Sequence, residues 1–198
     1  MSRRSLVTLA GAAGLGGLAA ALLVDRAAFA ADDEVEVLEE RPNVPTASDI
    51  DILEQVIGLE FAASELYRAR QEAGVPDGLS AAVLVMAENH QAYGQAIAGA
   101  SGLSAGVADA EFVQANTAEF TGSFDGFLAA AHSLEQTTAA THTELMSRYD
   151  SDDAIRLTAS IALTEVRQAT VLADLLGVDD LDVLFGNEES ALTLGDDA

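Results

Sequence analysis

Apolar residues recur every three or four positions in four long stretches of the chain. This spacing places them on one face of an α-helix, because successive residues turn by about 100° around the axis. The pattern predicts helices over 48–72, from 79 or 80 to between 99 and 102, over 123–149 and over 153–176. Ser48 is the expected N-cap of the first helix, with Asp51 three residues further on. The sequence therefore predicts an all-α protein.

The lengths of the connections arrange these helices in space. Glycines and a proline at 74–78, and a short polar run at 150–152, mark two tight turns that make two antiparallel hairpins. The connection over 101–122, with a short helix predicted around 110–120, is long enough to run the length of a bundle. Two hairpins joined by one long crossover predict a four-helix bundle over 48–186, which includes a short turn at 181–185.

Four polar residues interrupt the four apolar faces at matching depths. Glu60 and His90 lie equally far from position 75 in the first turn, and Glu135 and Glu165 lie equally far from position 150 in the second. Antiparallel helices bring such residues to the same level. A buried carboxylate must be paired, protonated or bound to a metal, because burying it bare is very costly. Gln168, one turn after Glu165, can share the same interior.

Neighbouring polar residues are sorted by their position around each helix. Glu88 lies about 160° around the helix from the inward-facing His90, so it is expected to point outward. Glu65 is expected to point outward as well. His142 faces inward, but it lies seven residues from Glu135, about 10 Å along the axis. It is therefore expected in a second polar layer. His132 is expected at the boundary between interior and surface.

The first predicted helix carries a motif that resembles a known family. Leu59-Glu60, with Tyr67 two turns on, resembles the first-helix motif of ferritin-like proteins, and particularly of exported ferritin-like domain proteins of the desiccation-associated kind. The resemblance covers 50–177. It implies a ferritin-like four-helix bundle made of two helix pairs. In each pair, one helix supplies a Glu and the next supplies a Glu-x-x-His motif.

The resemblance also implies metal ligands. Glu60 matches the first lone Glu, His90 the first His, Glu135 the second lone Glu and Glu165 the Glu of the last helix. These donors suit iron, as one ion or a pair, and manganese or zinc suit them too.

Two positions depart from the family pattern. Ala87 stands where the second helix would carry its Glu, and Gln168 stands where the last helix would carry its His. Gln168 is thus a weak ligand or a hydrogen-bond donor to the site. The departures put a paired iron site that activates dioxygen in doubt.

Two functions follow as alternatives. The first is an exported protein that binds iron or another divalent metal and handles Fe(II) oxidation. The second is a non-catalytic bundle that has lost its metal and protects or scaffolds under stress, with Glu60, His90, Glu135, Glu165 and Gln168 as a hydrogen-bonded cluster. A metal ion is the expected partner of the first, and a homodimer remains open for both.

Charge and composition exclude several kinds of binding partner and site. The net charge is −24, with 33 acidic residues, 9 basic residues and no cysteine. Nucleic acid and anionic membranes would be repelled by such a chain. Neither a disulfide framework nor a thiolate metal site can form without cysteine.

The first thirty residues are expected to be an export signal. Arg3-Arg4 precede a glycine-rich apolar run over 9–24, and 28–30 read Ala-Phe-Ala, a small-residue cleavage site. We expect twin-arginine export to an extracytoplasmic location, secreted, periplasmic or in the cell wall, with no membrane contact after cleavage. A general secretory signal and an uncleaved anchor are the alternatives. An acidic linker over 31–47 and a disordered acidic tail over 187–198 complete the predicted organisation.

Overall fold

The computed structural model describes residues 41–194, with the backbone alone at Phe185. The predicted signal at 1–30 and most of the predicted linker lie outside this range. Within it the chain forms six α-helices. Their bounds are α1 Ala47–Ala73, α2 Ser80–Ser101, α3 Ala110–Thr121, α4 Phe124–Leu145, α5 Asp152–Leu176 and α6 Leu181–Phe185.

Four long helices form the predicted pair of hairpins. α1 packs on α2, α4 packs on α5, and α3 lies in the crossover, where it contacts both α1 and α4. The long connection thus carries the chain back along the bundle, as its length predicted. α4 ends at Leu145 rather than 149, because the chain passes into a series of turns after that residue.

The start of α1 differs from the prediction by two residues. Thr46, and not Ser48, is the N-cap, and its hydroxyl accepts from the Asp49 amide while the Asp49 carboxylate accepts from the Thr46 amide. This reciprocal pair is a capping box. Asp49 is also buried against the α4–α5 turn, where its carboxylate accepts from the amides of Asp150 and Ser151 at 2.7 and 3.1 Å. One side chain therefore ties the start of α1 to the far hairpin.

The segment before α1 crosses the same turn. Arg41 donates to the Tyr149 carbonyl at 3.0 Å, and the carbonyls of Pro42 and Asn43 accept from the amides of Asp152 and Asp153. The last residues of the predicted linker are consequently held on the bundle.

Residues 187–194, the described part of the predicted tail, run along α4. The side-chain amide of Asn187 donates to the Gln136 carbonyl at 2.8 Å, and the backbone amide of Leu192 donates to the Thr141 hydroxyl at 2.9 Å. These bonds hold residues 187–192 on the surface of α4.

Apolar side chains form two clusters at opposite ends of the bundle. One contains Tyr67, Phe120 and Phe127 near the α1–α2 turn, and the other contains Leu53, Ile97 and Leu145 near the α4–α5 turn. A polar layer lies between them. Across residues 41–194, no helix combines the length and apolar character that a bilayer crossing requires.

Candidate metal centre

Five ionisable side chains from all four long helices meet in the polar layer. The residues are Glu60 on α1, His90 on α2, Glu135 and His142 on α4, and Glu165 on α5, and each is 0% exposed. The matching depths that the sequence predicted for four of them are confirmed by their contacts.

His90 links the two hairpins. Its Nδ1 lies 2.8 Å from Glu60 Oε2, and its Nε2 lies 3.1 Å from Glu135 Oε1. The Tyr67 ring stacks on the imidazole, with ring centroids 5.7 Å apart and planes inclined by 15°. The histidine is therefore fixed in orientation between two carboxylates.

His142 belongs to this same layer, and the expectation of a separate polar layer is wrong. Its Nε2 lies 2.7 Å from Glu60 Oε1 and 3.6 Å from Glu165 Oε1. The separation of about 10 Å between His142 and Glu135 refers to their backbone positions along the helix axis. A helical side chain leans toward the N-terminus of its helix, so His142 reaches back toward the level of Glu135. The sequence did contain a signal for this position: His142 faces inward and follows the layer along α4, so its side chain leans back toward the layer.

Neutral side chains hold Glu135 in place. The Tyr67 hydroxyl donates to Oε1, and Gln168 Nε2 donates to Oε2 at 3.1 Å. Gln168 Oε1 in turn accepts from Asn89 Nδ2 at 3.1 Å. The amide oxygen of Gln168 is thus occupied, and its nitrogen faces the carboxylate. The sequence patterns did not single out Asn89, because an amide at the edge of a helix face has no periodic signature.

Glu165 is the exception in this network. Both carboxyl oxygens are buried, and within the described part of the chain neither has a hydrogen-bond partner. His142 Nδ1 is likewise buried and without a partner there. An unpaired buried polar group costs about 1–3 kcal/mol, and more if it is charged. The layer therefore contains coordinating atoms that the protein itself does not satisfy.

The charges of the layer are strongly coupled. Burial would raise the pKa of Glu60, but hydrogen bonds from His142 and His90 outweigh it and lower the pKa to about 2. Burial would lower the pKa of His90, yet the neighbouring carboxylates raise it well above its ordinary value, and the pKa of His142 is raised in the same way. Burial raises the pKa of Glu165 to about 8. In the metal-free protein, the carboxylates thus favour the protonated forms of both imidazoles.

Two groups of three donors lie close enough to hold a cation. One is Glu60, His142 and Glu165, and the other is His90, Glu135 and Glu165, with the ligand atoms of each group within 4.8 Å of one another. Both groups include Glu165. Carboxylate oxygens and imidazole nitrogens suit iron, manganese and zinc, so the donors present fit such a metal.

The remaining sequence candidates take the positions expected of them. Glu65 and Glu88 are exposed, His132 is half-buried, and Ala87 is fully buried beside the layer. The Ala87 carbonyl accepts from the Ser64 hydroxyl at 2.8 Å. Gln168 is the one proposed ligand whose oxygen points away from the carboxylates.

The fold and the polar layer define an all-helical bundle with a buried carboxylate–histidine cluster at its centre. A family model described as a ferritin-like domain matches residues 48–178, and the chain belongs to that family. The predicted ferritin-like bundle is thereby confirmed. Neither a curated protein nor a solved structure matches the chain.

Proposed function

We propose that this ferritin-like protein binds divalent transition metal in the polar layer, with iron foremost, and takes part in Fe(II) oxidation outside the cytoplasm. The ferritin-like fold and the three carboxylates and two histidines of the layer support metal binding. The extracytoplasmic location rests on the twin-arginine pattern at Arg3-Arg4 and the cleavage site at 28–30.

The Glu165 carboxyl, which has no hydrogen-bond partner in the described part of the chain, carries the proposal. A bundle that had settled into a purely hydrogen-bonded core would leave no buried carboxyl without a donor, because such a group is costly. Glu165 lies in both candidate ligand groups, so one metal at either position would satisfy it.

Glu60, His142 and Glu165 would hold one cation, and His90, Glu135 and Glu165 would hold a second, with Glu165 shared. Bound iron would supply one-electron redox chemistry to the site. Tyr67 and Gln168 would keep Glu135 oriented through their hydrogen bonds. The apolar clusters on either side of the layer would exclude water. Glu165, His90 and His142 would each give up a proton when metal binds, because ligands must be deprotonated.

A hydrogen-bonded bundle without metal is the second candidate. Glu60 and Glu135 favour it, because all four of their carboxylate oxygens are within hydrogen-bonding distance of protein donors. In that case the protein would protect or scaffold, as its missing carboxylate at Ala87 also suggests.

Elemental analysis of the untagged, purified protein tests the proposal. We expect iron, manganese or zinc at one to two equivalents in the wild type, and a loss of at least half in Glu165→Gln. Glu88→Gln, an exposed carboxylate on α2, is the matched control and should retain the wild-type content. Metal below a tenth of an equivalent after reconstitution with Fe(II), Mn(II) and Zn(II) in turn would contradict metal binding.

Thermal unfolding with a chelator separates the two candidates. A metal centre should lose several degrees of Tm on chelation, because a ligand that binds only the native state stabilises it. A hydrogen-bonded cluster should keep its Tm. Aerobic Fe(II) oxidation, followed by ultraviolet absorption, then tests the redox part of the proposal separately.

A further inference from the structure

Two polar pairs bridge α2 and α5 directly beside the metal centre. Asn89 on α2 bonds Gln168 on α5. One turn away, Tyr93 on α2 lies beside Thr164 on α5, whose hydroxyl donates to the Ser160 carbonyl at 3.1 Å. The pairs run in antiparallel register, since Tyr93 follows Asn89 by four residues and Thr164 precedes Gln168 by four. We call these four residues the α2–α5 seam.

The seam covers the centre on a side where most of its own side chains are partly exposed. Asn89, Tyr93 and Thr164 are partly exposed and Gln168 is 7% exposed, whereas all five ionisable groups behind them are fully buried. α2 and α5 also contact each other far more sparsely than the helices within either hairpin. Partly exposed side chains of the seam therefore stand between solvent and the fully buried carboxylates and histidines.

The other sides of the centre are closed by apolar packing or by a further helix. α3 packs on both α1 and α4 and covers the opposite side of the bundle. Toward the bundle ends, the apolar clusters that contain Phe127 and Leu145 separate the layer from the turns. A hydrated cation would lose its water without compensation in either cluster.

The seam offers a cation neutral polar groups. Its members are two amides and two hydroxyls, and the buried Tyr93 oxygen has no hydrogen-bond partner in the described part of the chain. Oxygen atoms of this kind can replace water around a divalent cation. The net charge of −24 would concentrate cations at the surface from which the seam begins.

From this arrangement we infer that divalent cations enter and leave the centre through the α2–α5 seam, with the Asn89–Gln168 amide pair as its gate. The inference rests on the proposed metal function. Opening the gate breaks one neutral hydrogen bond and leaves every proposed carboxylate and histidine ligand in place. Asn89 is thus a gating residue, and its replacement should change rates of exchange more than affinity.

Stopped-flow measurement of cobalt(II) uptake and of its release to excess EDTA tests the inference on the full chain. In Asn89→Ala, both rate constants should rise about fivefold, the effect of losing one neutral hydrogen bond, while Kd stays within about twofold of wild type. Thr164→Leu, which fills the seam with an apolar side chain, should slow both rates with Kd similarly unchanged. These opposite changes exclude a general loosening of the fold.

Asn116→Ala is the matched control. Asn116 is a partly buried amide on α3, on the opposite side of the bundle, and within residues 41–194 its side chain bonds only the carbonyl of Phe112 in its own helix. It should exchange cobalt at the wild-type rate. Wild-type rates in both Asn89→Ala and Thr164→Leu, with cobalt bound at normal stoichiometry, would overturn the seam and leave the metal function intact. Failure of the wild type to bind cobalt, iron, manganese or zinc would overturn both.

Discussion

His142 Nε2 lies 2.7 Å from Glu60 Oε1, so an imidazole of the second hairpin bonds the carboxylate of the first. His90 makes the reverse connection, from the first hairpin to Glu135 of the second. Each histidine therefore crosses between hairpins, and the polar layer joins the two halves of the bundle. Both the stability of the metal-free protein and its ligand set depend on these crossings.

Replacing His142 should weaken both stability and metal binding. In His142→Ala, the buried Glu60 carboxylate loses one of its two imidazole partners, and breaking a buried ion pair costs about 3 kcal/mol. Metal affinity should fall by about 10- to 100-fold or more, because removing even a group that only supports a metal ligand costs that much. Urea unfolding of the chelated protein and competition with a chromophoric chelator measure the two effects.

His132→Ala is the control for that substitution. His132 is half-buried on the same helix and belongs to neither ligand group. Its replacement should leave metal affinity unchanged. Equal loss of affinity in both variants would show that His142 acts only through the fold.

The stability of the metal-free protein should be highest near pH 4.5 and should fall on either side of it, toward about pH 2 and about pH 8. Glu60 has its pKa lowered from 4.5 to about 2, so its contribution is complete above pH 4.5 and is lost as pH falls through 2. The pKa values of His90 and His142 are raised above 6.5, so their contribution is complete below 6.5 and is lost as pH rises through the folded values. Glu165, with its pKa raised from 4.5 to about 8, lowers stability as pH rises between those values.

Thermal unfolding of chelated protein across this pH range measures the effect. Glu165→Gln should reduce the decline in Tm between pH 6 and 8, because the glutamine side chain does not ionise in this range. A Tm that rises steadily from pH 6 to 8 in the wild type would contradict the assigned protonation states.

Metal binding should release protons and should tighten as pH rises. The pKa values of Glu165, His90 and His142 are all raised in the metal-free protein, so a metal must displace bound protons to gain its ligands. Calorimetric titration in two buffers of different ionisation enthalpy gives the number released per metal. The number should fall in Glu165→Gln. Binding that releases no protons in either buffer would rule out these three groups as ligands.

Asp49→Ala should destabilise the protein by about 2 kcal/mol at neutral pH, because the buried carboxylate accepts from three backbone amides that would lose their acceptor. Burial would raise the pKa of Asp49, but those hydrogen bonds outweigh it and lower the pKa below its ordinary 3.8. The contribution of this carboxylate is therefore complete above pH 3.8 and is lost as pH falls below it.

Urea unfolding at neutral pH and near pH 3 measures that contribution. The difference between wild type and Asp49→Ala should shrink at the lower pH. Asp51→Ala, an exposed carboxylate one turn into the same helix, should change stability by less than about 0.5 kcal/mol. A constant difference at both pH values would show that the carboxylate charge is unimportant.

The proposed export route predicts a precursor phenotype. Changing Arg3 and Arg4 together to Lys should leave the unprocessed chain in the cytoplasm of a host with a twin-arginine pathway, because that route recognises the arginine pair. Immunoblots of cell fractions detect it. Arg26→Lys, which keeps the pair, should be exported normally. Normal export of the double variant would favour the general secretory route.

Periodicity alone determined the helices and their hairpins. Apolar repeats fix which residues face inward, and connection lengths fix which helices are neighbours, so α1, α2, α4 and α5 follow from the sequence to within a few residues. The equal depth of Glu60 with His90, and of Glu135 with Glu165, followed from the same arithmetic. Each of these properties is local or depends on one turn, and a sequence records such properties directly.

Contacts between hairpins were decided only by the tertiary structure. The direction in which a side chain leans brought His142 to the level of Glu60, although their backbone positions suggested separate layers. The distance between α2 and α5 determined that Gln168 bonds Asn89 and turns its nitrogen toward Glu135. Periodicity fixes which side of a helix a residue occupies, but the separation and rotation of packed helices decide which atoms touch.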